Sequence, residues 1–170
     1  MKRLLALLFL LLAPWPALAD NAIDEAFWSA GSGTTPALAD LVTLNGEPLA
    51  AKLQGKTVLL HFWATWCPPC IVELPALDHL AAEWEGRGVV IVAVSLDRSP
   101  EELNRFLLRQ GTPAHLLMIQ DPQRKLAKPL GLKVLPATIL LGNDGAETAR
   151  LTGMGDWDGA DRLRLVKALP

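Results

Sequence analysis

Both cysteines of the 170-residue chain lie in one short stretch, HFWATWCPPC, at residues 61–70. Cys67 and Cys70 are separated by two residues and follow the apolar run VLLHFW, which is typical of a buried strand. The residues from 68 onward have helical periodicity, with apolar side chains three and four positions apart. The pair is therefore expected at the N-terminus of a helix.

A helix N-terminus suits cysteine chemistry because its unpaired N–H groups and its dipole stabilise an anion. The pKa of a thiol placed there falls, and the thiolate is the nucleophile of disulfide exchange. Cys67 is predicted to attack a disulfide of another protein. Cys70 lies almost one turn further into the helix and is expected to be more buried, so it is predicted to resolve the mixed disulfide.

Two other uses of a cysteine pair fit this sequence less well. A zinc site needs more ligands, and His61, His79 and His115 do not add a second ligand pair at the usual spacing. A structural disulfide across two residues removes little entropy from the unfolded chain, because that effect grows with loop length. We therefore expect a redox-active disulfide and no metal site.

The hydrophobic pattern predicts one α/β domain with three layers. Continuous apolar runs indicate strands that are covered on both faces, residues 147–152 alternate like an edge strand, and Asn45-Gly46 favours a small N-terminal hairpin. The predicted strands are 58–63, 89–94, 116–119, 138–141 and 147–152. The predicted helices are 68–84, one capped by Ser99, one from Asp121-Pro122 to about Gly131, and 158–169 with Leu163, Val166 and Leu169 buried.

The N-terminus has the composition of an export signal. Lys2 and Arg3 precede an apolar run, and Ala17-Leu18-Ala19 offers small residues for cleavage. The run is shorter than the ~20 residues that span a bilayer, although a retained N-terminal membrane anchor is the alternative. We expect a signal peptide at 1–19, a lead-in and linker at 20–36, a domain at 37–170, and a soluble periplasmic protein.

The charge and the motifs exclude several classes of function. The formal charge of −2 becomes −4 when Lys2 and Arg3 are removed, which does not suggest nucleic-acid binding. The sequence has no haem motif, dinucleotide-binding glycine pattern or phosphate loop. No cofactor is therefore expected beyond the cysteine pair itself, and the chain is expected to be a monomer.

The motifs together resemble a known family. FWATWCPPC at 62–70, VVIVAVSLD, and GLKVLPATILLGNDG follow one another as in the thioredoxin superfamily, in particular its exported TlpA/ResA/DsbE-like branch. The resemblance implies a thioredoxin-like three-layer sandwich with a central mixed sheet, helices on both faces, and an inserted helix–strand at about 98–120. Pro75 matches the proline that kinks the helix in this superfamily. Pro136 matches the family's cis-proline, and Leu135 would then offer backbone groups to an extended client segment.

Three further side chains are candidates for the site. Glu73, one turn after Cys70, matches an acid that is common in the exported branch and could exchange protons with Cys70. His61 departs from the family pattern, which has Asp or a neutral polar residue there. It is either a neutral core group or a proton relay. Trp66 is expected at the surface as a docking contact, and Trp63 in the core.

The residues between the cysteines indicate the direction of electron flow. Pro68 and Pro69 lack backbone N–H groups, so the Cys67 thiolate is stabilised less and the protein is expected to be a reductant. Both prolines are also expected to contact the client. The family resemblance implies clients such as apocytochrome c or copper-assembly proteins, and a membrane electron donor of the DsbD or CcdA type. A thiol peroxidase and a non-catalytic peptide-binding module are the alternatives.

Overall fold

A computed structural model describes residues 28–168 of the chain, and the side chains of residues 28–166. The expected signal peptide at 1–19 and the lead-in as far as residue 27 lie outside the described residues. Residues 28–30 of the expected lead-in form a strand. Within residues 28–168, no helix is long and apolar enough to cross a membrane, and no cluster of three metal-ligating side chains is present.

One mixed sheet of six strands forms the centre of the molecule. The strands are β1 Trp28–Ala30, β2 Thr57–Trp63, β3 Val89–Ser95, β4 Leu117–Gln120, β5 Ala137–Leu141 and β6 Glu147–Thr152. Their order across the sheet is β1-β6-β5-β2-β3-β4. Strands β2, β3 and β4 are parallel, whereas β5, β6 and β1 each pair with their neighbour in antiparallel fashion.

Four helices accompany the sheet: α1 Leu49–Leu53, α2 Pro68–Trp84, α3 Pro100–Gln110 and α4 Ala160–Ala168. The N-terminus of α3 is capped as predicted, because the Ser99 hydroxyl oxygen accepts a hydrogen bond from the Glu102 N–H. Helix α2 coincides with the predicted range and contains Pro75. Each of the five predicted strands is present, with ends that differ by one residue at most.

Two clusters of buried side chains cover the two faces of the sheet. One contains Leu74, Leu77 and Leu80 of α2, side chains of α3 and α4, and Leu59 and Trp63 of β2. The other contains α1 and the segment 126–130 against Leu60 and Phe62 of β2. Because side chains alternate along a strand, the odd-numbered residues of β2 face α2. His61 therefore lies on the α2 face.

The segment after β4 differs from the prediction of a helix from Asp121 to Gly131. It forms consecutive turns. The Asp121 carboxylate accepts hydrogen bonds from the N–H groups of residues 125, 126 and 127, and Arg124 has a φ of 56°, which interrupts any helical run. Pro129 also lacks the N–H that a helix would need.

Three smaller expectations were also wrong. The predicted N-terminal hairpin is reduced to one antiparallel bridge between Val42 and Pro48, and helix α1 begins directly afterwards. Strand β6 is not at the edge, because β1 pairs with it. In α4, Leu163 and Val166 are exposed and Leu165 is buried, so the helix turns a different face to the core than its spacing suggested.

Candidate active site

The chain passes from the central strand β2 to helix α2 through a short turn that ends at Cys67. Cys67 is the N-cap residue of α2, and Pro68 and Pro69 occupy the first helical positions. Cys67 and Cys70 form a disulfide with Cα atoms 5.3 Å apart. Cys67 is 5% exposed and Cys70 is fully buried, which is the order of accessibility that the sequence predicted.

The turn before Cys67 is held by a buried carboxylate that the sequence analysis did not single out. Asp97 accepts hydrogen bonds from the backbone N–H of Thr65, at 3.2 and 3.0 Å, and from its hydroxyl at 2.7 Å. The Ser95 hydroxyl donates to the same carboxylate. Asp97 ends the motif VVIVAVSLD, where a polar residue directly after an apolar strand is the signal that could have drawn attention to it. Nothing in the sequence indicated that its partner is Thr65.

The Leu135–Pro136 peptide bond is cis, as the family resemblance implied. Pro136 directly precedes β5, whose first residue, Ala137, pairs with Phe62 near the end of β2. Because β5 runs antiparallel to β2, the start of β5 lies beside the C-terminal end of β2, from which the Cys67 turn emerges. The Pro136 carbonyl accepts a hydrogen bond from the Gly153 N–H, which leaves the backbone of Leu135 outside the strand ladder.

Glu73 is almost fully buried, at 3% exposure, on the side of α2 that faces the sheet. Its Oε1 accepts hydrogen bonds from the Gly155 N–H at 2.6 Å and from the Trp157 indole N–H at 2.7 Å. Its Oε2 has no hydrogen-bond partner among the described residues. Burial raises the pKa of Glu73 to about 7, against the lowering effect of the two hydrogen bonds, and the Asp161 charge raises it further.

His61 lies opposite Glu73 in the same buried space. Its Nδ1 forms a hydrogen bond of 3.0 Å with the Thr138 hydroxyl on the neighbouring strand. Its Nε2 has no hydrogen-bond partner in the described part of the chain and lies 3.9 Å from Glu73 Oε2. The Trp157 ring packs edge-on against the imidazole, with ring centres 6.4 Å apart.

The contact between His61 and Glu73 meets the distance limit for an ion pair, but the imidazole is neutral at ordinary pH. Complete burial lowers the pKa of His61 to about 3, since the charged imidazolium loses its hydration. The separation of 3.9 Å is also too long for a hydrogen bond. Two polar atoms therefore face one another, and a shift of about 1 Å would bring them within hydrogen-bond distance.

The two tryptophans beside the cysteines differ as predicted. Trp66 is 63% exposed directly before Cys67, whereas Trp63 is fully buried and packs on Phe106 with ring centres 5.5 Å apart. Trp66 borders two clefts in the surface. The site thus has an exposed aromatic side chain next to the more accessible cysteine.

The C-terminal part of the chain supplies residues that sequence reasoning missed. Trp157 is buried, and its indole N–H donates a hydrogen bond to Glu73. Gly155 must be glycine, because a Cβ atom there would lie 2.5 Å from the Trp157 ring. Thr138, the hydrogen-bond partner of His61, lies in the otherwise apolar strand β5, so its hydroxyl did not stand out in the sequence. These hydrogen bonds join residues 77, 82 and 84 positions apart, so local patterns could not reveal them.

Comparison with known proteins identifies the family. The Redoxin family profile matches residues 29–162. The chain belongs to the redoxin family. The ResA thiol-disulfide oxidoreductase of Halalkalibacterium halodurans is 35% identical over 106 residues, which are 62% of this chain and 59% of that protein. ResA of Geobacillus thermodenitrificans is 31% identical over 152 residues, which are 89% of this chain and 86% of that protein.

A solved structure supports the same assignment. A secreted Mycobacterium tuberculosis disulfide oxidoreductase, homologous to E. coli DsbE, superposes with a TM-score of 0.62 at 26% identity, over 78% of this chain and 97% of that chain. This redoxin-family protein therefore has the expected thioredoxin-like fold. The chain spans less than two thirds of the length of some ResA relatives, 59% for H. halodurans and 63% for Bacillus thuringiensis.

Titration of Glu73 should make the stability of the protein depend on pH. The pKa of Glu73 is raised from 4.5 to about 7 by folding, so its protonated form favours the folded state. This stabilisation is complete below about pH 4.5 and is lost as the pH rises through 7. The free energy of unfolding of the wild type, minus that of Glu73→Gln, should fall by about 3 kcal/mol between pH 4 and pH 8.

The measurement is urea unfolding of the oxidised proteins at several pH values. His61 and Asp161 are present in both proteins, so the difference reports the titration of Glu73 together with its interaction with Asp161. Asp40→Asn, at an exposed position that forms no ion pair among the described residues, serves as the control and should follow the wild type across this range. A wild-type curve parallel to that of Glu73→Gln would contradict the raised pKa.

Proposed function

We propose that this protein is an exported thiol–disulfide oxidoreductase that reduces disulfides in client proteins. The observation that carries the proposal is the Cys67–Cys70 disulfide at the N-terminus of α2, with the more accessible sulfur at the N-cap and the other fully buried. The similarity to ResA proteins supports the same reaction. Clients with a vicinal cysteine pair, such as apocytochrome c or copper-assembly proteins, are the proposed substrates.

The proposed reaction starts from the dithiol form. The Cys67 thiolate attacks one sulfur of the client disulfide, and the other client sulfur leaves and takes up a proton. Cys70 then loses its proton and attacks Cys67, which releases the second client thiolate. The protein becomes the disulfide, and the client gains two electrons and two protons. A membrane donor of the DsbD or CcdA type would restore the dithiol.

Glu73 is the proposed proton acceptor for Cys70. It follows Cys70 by three positions on α2, which brings the two side chains to one face of the helix. A pKa of about 7 suits this role, because the group can both take up and release a proton at neutral pH. Oε1 is held by Gly155 and Trp157, so Oε2 is the oxygen that remains available for the proton.

His61 is proposed to position Glu73 and to adapt to its protonation state. The Thr138 hydroxyl can either donate to Nδ1 or accept from it, so both neutral tautomers of His61 are allowed. In one tautomer Nε2 can accept from protonated Glu73, and in the other it can donate to the carboxylate. Thr138 thereby lets one side chain match both states of the acid.

The direction of electron flow rests on the prolines. Pro68 and Pro69 lack N–H groups at the first two positions of α2, so fewer donors reach the Cys67 sulfur and the thiolate is stabilised less. A less stable dithiol form gives electrons away more readily.

A peroxide-reducing enzyme and a non-catalytic peptide-binding module are the competing functions. A peroxide-consumption assay tests the first, and the variants Cys67→Ser and Cys70→Ser test the second.

The reduction potential tests the direction. We expect a value more negative than about −200 mV when the protein is equilibrated with glutathione buffers and the Cys67–Cys70 disulfide is quantified. The physical reason is the missing pair of N–H donors at Pro68 and Pro69. A potential as high as about −120 mV would identify an oxidant and overturn the proposed reductase.

Replacement of Cys70 by Ser should trap the client. The Cys67 thiolate still attacks, but no second thiol resolves the intermediate, so the mixed disulfide should accumulate and its mass should identify the client. Cys67→Ser is the matched control and should trap nothing, because the buried Cys70 sulfur is hard to reach. A partner that stays bound to Cys67→Ser as strongly as to the wild type would instead favour the binding module.

His61→Asn should leave the fold intact and change the exchange rate by less than about tenfold, because His61 is already neutral and Asn keeps a donor and an acceptor. The pH at which resolution is half-maximal should move relative to the wild type, while the melting curve should not. Stopped-flow rates between pH 5 and 9 measure both. Complete loss of exchange with a normal melting curve would make His61 essential to proton transfer.

A further inference from the structure

Two clefts flank Trp66 on the surface beside Cys67. One has a volume of about 340 Å³ and is lined by Thr65, Trp66, Glu102, Arg105, Phe106 and Arg109. The other has a volume of about 300 Å³ and is lined by Trp66, Leu96, Arg98, Glu102, Pro122 and Arg124. Trp66 and Glu102 line both clefts. We call Trp66 with its four surrounding arginines, Arg98, Arg105, Arg109 and Arg124, the Trp66 surface.

The Trp66 surface is positively charged although the whole chain is not. Four guanidinium groups and the single carboxylate of Glu102 line the clefts, a local excess of three positive charges, whereas the chain as a whole carries −2. All four arginines are exposed. The nearby Glu101 carboxylate accepts a hydrogen bond from the Ser99 hydroxyl and does not line either cleft, but its charge acts on Arg105, which leaves a local excess of two positive charges when Glu101 is included.

None of the four guanidinium groups forms an ion pair in the part of the chain that the structure describes, and only Arg105 interacts through its charge with a neighbouring carboxylate, that of Glu101. Arg105 also donates one hydrogen bond to the Glu101 carbonyl. By contrast, Arg150 and Arg162 pair with Glu147 and Glu83. Arginine binds carboxylates through two parallel N–H donors, so an exposed set without ion pairs is suited to acidic side chains of another molecule.

The position of the surface determines which molecule can reach it. Trp66 directly precedes Cys67 and lines both clefts, so the clefts lie beside the sulfur that a client disulfide has to reach. Arg105 and Arg109 are one turn apart on α3, and Arg124 is held beside the second cleft by a turn that the Asp121 carboxylate fixes. The charges are thus presented by ordered elements.

We propose that the Trp66 surface selects client polypeptides that carry Asp or Glu residues close to the disulfide to be reduced. This inference rests on the proposed function, since it names the class of substrate for that site. Charge complementarity of this kind raises the rate of encounter more than the final affinity, and salt screens it. The selectivity should therefore lie in kcat/KM and weaken as the ionic strength rises.

Three disulfide peptides that differ only in their flanking residues test the proposal: one with Asp and Glu, one with Asn and Gln, and one with Lys. At low salt we expect kcat/KM for the acidic peptide to exceed that for the basic peptide by about tenfold or more. At 0.5 M salt the ratio should fall to within about twofold. Equal rates for the three peptides at low salt would overturn the proposal.

Matched charge reversals locate the effect. Arg109→Glu should reduce the preference for the acidic peptide by about threefold or more, because it reverses one charge in the surface. Arg87→Glu is the control, since it changes the net charge equally but lies beyond the C-terminal end of α2, the end opposite Cys67. It should change the preference by less than about twofold. An equal loss in both variants would mean that only net charge matters, and the Trp66 surface would be rejected.

Binding without exchange separates this proposal from the proposed function. The same peptides with serine in place of cysteine are titrated into the isotopically labelled protein, and the indole N–H signal of Trp66 is followed by NMR. Selective binding of the acidic serine peptide, together with no exchange by the matching disulfide peptide, would support the surface and reject the reductase. Exchange that is independent of peptide charge would do the reverse. Binding of anionic phospholipid vesicles, without any preference among the peptides, would identify a membrane as the partner of this surface and overturn the proposal.

Discussion

The hydrogen bonds of the buried Asp97 carboxylate are the constraint on which the geometry of the site depends. They tie Thr65, the second residue after β2, to Ser95 at the end of β3. Strands β2 and β3 are paired in parallel with Trp63 opposite Ser95, so the register of the sheet is transmitted directly to this turn. Cys67 then begins α2 at a fixed place. A thiol benefits from a helix N-terminus only when the backbone holds it there, and Asp97 supplies that support.

Glu73 shows how burial and hydrogen bonding are balanced for proton chemistry. Burial alone would hold the acid protonated, and two donors to one oxygen favour the charged form, so the pKa settles at about 7. Both donors come from residues 155–157, between β6 and α4. Because they lie so far along the chain from α2, the protonation of the site depends on the C-terminal segment being folded against it.

Local patterns predicted the strands, α2 and the cap of α3, because each depends on residues close in sequence, whereas the cis bond at Pro136 was implied by the family resemblance. The local patterns were wrong where side chains act at longer range or against propensity. Asp121 binds three backbone N–H groups and converts an expected helix into turns. In α4, tertiary contacts bury Leu165 instead of Leu163. The cysteines and Glu73 were recognisable from spacing and resemblance, whereas Asp97, Thr138 and Trp157 act through partners that no spacing reveals.

The net charge, like the local patterns, described the surface of the protein only in part. A total of −2 excludes a strongly basic protein, but it is a sum over the chain and carries no position. Folding brings Arg98, Arg105, Arg109 and Arg124 from three separate segments to one exposed tryptophan, while other arginines are neutralised by neighbouring carboxylates. The side chains that line the clefts beside Cys67 therefore carry a net charge opposite in sign to that of the whole chain. Electrostatic selection is a property of this local arrangement, because screening limits each charge to a range of about 10 Å.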